Sequence, residues 1–184
     1  MAPSILSECP SLRFVIFYAG DLFAEFPADD SAAASDGQML AKWLFTPRPD
    51  DVPKVLKCWL DTDDGNLASK IEAFKAAFLD ASSPANFIFV IWFPPSADSV
   101  VPFELINEFT REQLALERIN NSDRFLLIRC PIVRNASKWT KWEKEAFNWR
   151  IYDQRNRIDI EIYNEDDIGD RLLDEIPDPS DQQK

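Results

Sequence analysis

Asn86–Phe93 reads Asn-Phe-Ile-Phe-Val-Ile-Trp-Phe and is closed by Pro94-Pro95. After the asparagine every side chain is apolar, and aromatic and β-branched residues dominate. A strand with one wet face alternates polar and apolar positions; a run without a polar position belongs to a sheet covered on both faces. Three more stretches share the character: Leu12–Ala19 (LRFVIFYA), Lys54–Leu60 (KVLKCWL) and Arg124–Cys130 (RFLLIRC). Arg157–Tyr163 differs. Ile158, Ile160 and Ile162 alternate with Asp159 and Glu161, the signature of a half-exposed strand at a sheet edge.

Helical patterns lie between these runs. Gly37–Phe45 places Met39, Leu40, Trp43 and Leu44 on one side. Asn66 is a suitable N-cap, after which Leu67, Ile71, Phe74 and Phe78 make one stripe before Ser82-Ser83-Pro84 breaks the pattern. Pro102–Arg118 reads as a third helix, with Phe103, Ile106, Thr110 and Leu114 on one face and Glu104, Glu108 and Glu112 on another. A fourth is expected from Ser137 to about Arg150, where Trp139, Trp142, Ala146 and Trp149 align, and a short one over Glu165–Ile176. The alternation predicts an α/β fold: a single layered domain with a mostly parallel sheet of about five strands, flanking helices, and the last strand at an edge. The domain is expected over 12–176, between a flexible leader (1–11) and an acidic tail (177–184).

The chain has 184 residues, a net charge of −12 and no histidine. The charge is unevenly spread: residues 124–157 hold 9 of the 20 Lys and Arg against 3 acids, while 158–184 hold 10 acids and 2 bases. A net acidic molecule repels polyanions, so nucleic acid is an unlikely partner and a basic protein surface a better one. Without histidine there is no Ser-His-Asp or Cys-His pair and no imidazole zinc ligand. No GxxxxGK[ST] or GxGxxG loop is present. The three cysteines, Cys9, Cys58 and Cys130, cannot all pair, and Cys58 and Cys130 lie in apolar runs. Reduced core thiols in a cytoplasmic, reducing setting are expected. No apolar run approaches membrane-spanning length, and no secretory leader is evident.

Two constellations carry chemistry. Ligands of parallel sheets bind beyond the carboxyl ends of strands, where Asp61-Thr62-Asp63-Asp64-Gly65 follows one strand and Asp21 another. Asp21, Asp61, Asp63 and Asp64 suit Mg²⁺, and with it hydrolysis or phosphoryl transfer, Arg134 steadying an anionic substrate. The plainer reading is a polar turn before a capped helix. The second is the basic, Trp-rich stretch 124–157, which has the residue types of a single-strand nucleic-acid surface. Its tryptophans fall on one helical stripe, which favours packing on the sheet. The acidic tail is a candidate to fold back on this basic helix.

The sequence thus points to a non-catalytic, acidic protein-interaction domain, without cofactor, that engages a basic partner surface as inhibitor, adaptor or complex subunit. Its candidate contacts are Glu104, Glu108, Glu112, Trp139, Trp142 and Arg134. The alternatives are the Mg²⁺-dependent enzyme and the nucleic-acid module.

Overall fold

The computed structural model describes residues 6, 11–17, 23–60, 67–93, 100–119 and 122–147, and the backbone of 157–160. Its elements run β1 (Phe14–Phe17), α1 (Asp36–Phe45), β2 (Lys54–Trp59), α2 (Leu67–Leu79), β3 (Phe87–Trp92), β4 (Phe103–Asn107), β5 (Glu112–Arg118), β6 (Arg124–Pro131), α3 (Ala136–Phe147) and β7 (Arg157–Ile160). The strands form one sheet in the order β4-β5-β6-β3-β2-β1-β7.

The sheet is mixed, where a mostly parallel one of about five strands was expected. β7, β1, β2 and β3 pair in parallel, whereas β3 pairs antiparallel with β6, β6 with β5, and β5 with β4. β7 closes one end of the strand order. The extra strands come from the segment read as a helix over Pro102–Arg118, which is the β4–β5 hairpin. Its four-residue turn ends at Arg111, whose φ of 59° lies in the left-handed region, so no continuous helix passes through it. On either side the inward positions are Phe103, Leu105 and Asn107, then Glu112, Leu114 and Leu116, registered by the pairs Phe103↔Leu116 and Asn107↔Glu112. The period is two, but the inward members next to the turn, Asn107 and Glu112, are polar. The face once drawn through Glu104, Glu108 and Glu112 therefore does not exist. Glu104 is exposed on β4, Glu108 is exposed in the turn, and Glu112 is buried.

Helices cover both sides of the sheet. On one face α1 supplies Met39, Leu40, Trp43 and Leu44, and α2 supplies Phe74 and Phe78, against Leu56, Phe87, Phe89, Ile91, Leu114 and Leu127. Edge-to-face contacts between Phe26, Phe45, Phe74 and Phe87, with centroids 5.0–5.8 Å apart, fill its centre. α1 starts at a capping box: Gln38 N–H donates to Ser35 Oγ, and Ser35 N–H to Gln38 Oε1. In its first turn a Cβ on Gly37 would lie 2.6 Å from Glu25 Cγ and 2.7 Å from the Phe23 carbonyl oxygen, so only glycine admits that approach.

On the opposite face α3 lays Trp139 and Ala146 over Val55, Ile88, Val90 and Ile128. An Arg13–Glu145 ion pair of 3.0 Å ties α3 to the start of β1. The helix does not reach the far end of this face, where Glu104, Ile106 and Glu117 remain exposed.

Candidate functional site

Buried polar groups are the first place to look for chemistry. Arg129 is fully buried on β6, and its Nε and Nη2 donate to Glu112 Oε2 at 3.1 and 2.6 Å. Nη2 also donates to the Ser83 carbonyl at 2.8 Å, and Glu112 Oε1 accepts the Ala85 N–H at 2.8 Å. The guanidinium sits 4.9 Å from the Phe45 ring centroid and 5.2 Å from that of Phe78. The carboxylate neutralises the cation and two aromatic faces lie against it, while its buried Nη1 has no hydrogen-bond partner among the described residues. This charge pair fastens the hairpin to the 83–85 loop, and it has no opening to solvent.

Asn107 does similar work from the end of β4. Its Nδ2 donates to the carbonyls of Phe78, Leu79 and Ala81 at 2.8–3.2 Å, closing the carboxyl end of α2. Its Oδ1 accepts from the N–H groups of Phe109 and Thr110 at 2.9 and 3.1 Å, shaping the turn. Lys54 is also buried. Its Nζ donates to the Trp43 carbonyl and, at 2.6 Å, to the Thr46 carbonyl, at the carboxyl end of α1. Burial, with some repulsion from Arg48, pulls the ammonium down to about 7 from 10.5. The thiols are buried too: burial pushes Cys130 up to about 11 and Cys58 higher still. Protonated thiols in apolar surroundings are poor nucleophiles.

The cavity found among the described residues does not collect these groups. A cavity of about 10 Å³ is lined by Phe23, Ile71, Phe74, Phe93, Phe103 and other apolar residues. That is about the volume of one water, and it lacks the polar partners a water needs. Among the described residues no three Cys, Asp or Glu side chains converge to hold a metal ion. Asp21, Asp61, Asp63 and Asp64, the strand-end aspartates proposed for Mg²⁺, lie outside the described residues. No helix among them is long and apolar enough to cross a membrane.

The candidate contact residues separate into two groups. Glu104 and Glu108 face solvent. Glu112 is 1% exposed and Trp139 4% exposed, so neither can serve as a surface contact. Trp139 packs in the second core with Trp142, half-buried, meeting it edge to face at 5.4 Å. Arg134 lies 5.1 Å over the Trp139 ring and is paired with Glu143 at 3.1 Å. Lys138, Lys141 and Lys144 project to solvent from α3. This is the arrangement expected of a packed stripe with a solvated basic back.

What sequence reasoning did not find is a surface. The large apolar side chains left exposed among the described residues are Leu79, Val101, Ile106, Phe109, Ile132 and Val133. All but Val101 lie at one end of the sheet. Ile106 precedes the hairpin turn, Phe109 is in it, and Ile132 N–H donates to the Arg111 carbonyl at 3.0 Å. Leu79 is brought there by the Asn107 bridge. Phe109 is 78% exposed and Val133 88%. Single exposed apolar residues are ordinary, but a gathering of them is not. Asp80, Glu104, Glu108 and the Glu143 paired with Arg134 stand near it against Arg111 and Arg134, so acids outnumber bases at its margin.

Comparison with protein-family models, curated proteins and solved structures finds no match to this chain.

Proposed function

We propose that this chain is a non-catalytic protein-interaction domain, and that it docks its partner at the β4–β5 hairpin end of the sheet. The observation that carries this is that Leu79, Ile106, Phe109, Ile132 and Val133 are all exposed at this end of the sheet, Leu79 on the α2 side and Ile106 on the other, with acidic residues beside them. Apolar anchors inside a charged rim are the usual anatomy of a docking surface: the anchors supply affinity, the rim speeds and orients encounter. The partner accordingly presents apolar groups within a basic surface. The net charge of −12 adds long-range attraction to the same class of partner.

The test is a photo-crosslinking amino acid at Phe109, with Lys141 on α3 as the control position. A polypeptide captured from Phe109 and not from Lys141 is then purified and titrated against the parent chain. Phe109→Ser combined with Val133→Ser should weaken that binding by roughly 30-fold or more, the effect of losing about 2 kcal/mol at anchor positions. Both side chains face solvent, so the melting temperature should hardly move. Affinity unchanged by the double substitution would defeat the reading.

A further inference from the structure

We infer that β4 receives an extended segment of the partner as an added strand, one alternating basic and apolar residues. This rests on the docking reading above and names the kind of partner. β4 is the outermost strand and pairs only with β5 among the described residues, so its lateral row of N–H and C=O groups faces outward. An incoming strand would continue the ladder, with main-chain hydrogen bonds for affinity and alternate side chains for specificity.

The side chains along β4 fix the chemistry. On the face that α3 leaves bare, Glu104 and Ile106 are exposed, and Glu108 follows in the turn. A neighbouring strand would set a cation beside Glu104, an apolar residue beside Ile106 and a cation towards Glu108. On the other face Phe103 and Leu105 are only half-buried, with Lys75 Nζ 4.4 Å over the Phe103 ring. Apolar residues at the intervening positions would extend that layer. Directly opposite unlike charges stabilise a strand pair, and like charges destabilise it.

The same rule argues against two other occupants. A second copy pairing antiparallel with Ile106 against Ile106 would set Glu104 against Glu108 twice. The chain's own stretch 161–184, with 9 acids and 2 bases, is an equally poor match.

The probe is a blocked heptapeptide, acetyl-Thr-Lys-Leu-Val-Leu-Lys-Thr-amide, titrated into the full chain and followed by amide NMR and hydrogen exchange. Saturable binding is expected, with alternate amides of Phe103–Asn107 protected at least about tenfold. Glu104→Lys should weaken binding about tenfold, as should replacing both peptide lysines by glutamate. N-methylation of the backbone on the peptide edge that faces β4 should abolish it. Binding that leaves the β4 amides exchanging as before overturns strand addition, as does indifference to peptide charge, absence of saturation at millimolar peptide, or a dimer formed through β4. The two proposals fail separately: a natural partner sensitive to Phe109→Ser but giving no β4 protection leaves docking intact, whereas one insensitive to Phe109→Ser removes docking itself.

Discussion

Glu112→Gln tests what holds the hairpin in place. The substitution keeps volume and shape but removes the charge opposite Arg129, whose guanidinium is fully buried between Phe45 and Phe78. Glu112 Oε2 takes both Arg129 donors and Oε1 takes the Ala85 N–H, so the carboxylate is fully engaged. Breaking a buried pair by neutralising one member costs about 3–5 kcal/mol, because the surviving charge is stranded in a poorly polarisable interior. Against the roughly 5–15 kcal/mol that stabilise a domain, that is a large share. Replacing both partners gives a different result. Glu112→Leu with Arg129→Met removes the stranded charge, and its cost should fall to about 1–2 kcal/mol, mostly the lost bonds to Ser83 and Ala85. Urea unfolding monitored by tryptophan fluorescence and circular dichroism measures both, provided the denaturant slope is unchanged. A coupling of several kcal/mol between the sites is expected. If Glu112→Gln stays within about 1 kcal/mol of the parent, or if the costs of Glu112→Leu and Arg129→Met made singly simply add in the double variant, the pair is not the fastening described.

Three further outcomes follow from the same interior. Asn107→Ala should lower stability by about 2–4 kcal/mol, since it leaves buried carbonyls of α2 and turn N–H groups without their partner; urea unfolding reads it. Lys54 binds a proton less readily in the native chain than in the unfolded one between pH about 7 and 10.5. Its contribution to stability therefore rises with pH across that window and is flat below it. Stability measured from pH 7 to about 8.5, before the buried thiols oppose the trend, should show a slope that Lys54→Met abolishes. Cys58 and Cys130 should resist a thiol reagent in the native state and react at the rate of unfolding, as mass spectrometry of the labelled peptides would show.

The sheet was legible wherever strands are apolar throughout. Phe14–Phe17, Lys54–Trp59, Phe87–Trp92 and Arg124–Pro131 all fall inside runs with few polar positions, and burial on both faces leaves such runs no other use. The stripes Met39, Leu40, Trp43, Leu44 and Trp139, Trp142, Ala146 were legible for the helical analogue of that reason. The hairpin was not. Its inward residues include Asn107 and Glu112, which read as solvent-facing, so the two-residue period was broken where it mattered most. Phe103, Ile106, Thr110 and Leu114 meanwhile imitated a helical stripe. The partners that make those polar residues tolerable are Arg129, Ala85 and the end of α2, far along the chain, and local pattern cannot supply them. The docking surface was hidden by the same error, because a helix over Pro102–Arg118 would have turned Ile106 inward. The acidic turn at Asp61–Asp64 lies outside the described residues, and its reading as a capped turn or a cation site stands as it did.

β1 sits between β2 and β7, with Phe14 registered against both Val55 and Arg157. One neighbour is made early in synthesis and the other only after residue 156. A chain emerging from the ribosome therefore carries an apolar strand, Phe14–Phe17, with one side unpaired until Arg157–Ile160 has been made. β4, β5 and β6 are near neighbours in sequence and can assemble as soon as they emerge, whereas the β1–β7 pairing spans the intervening elements and waits for all of them. Unpaired edges of this kind recruit foreign strands. Truncation before Arg157 should accordingly show itself first as insolubility and chaperone dependence, ahead of any loss of binding at the opposite end of the sheet.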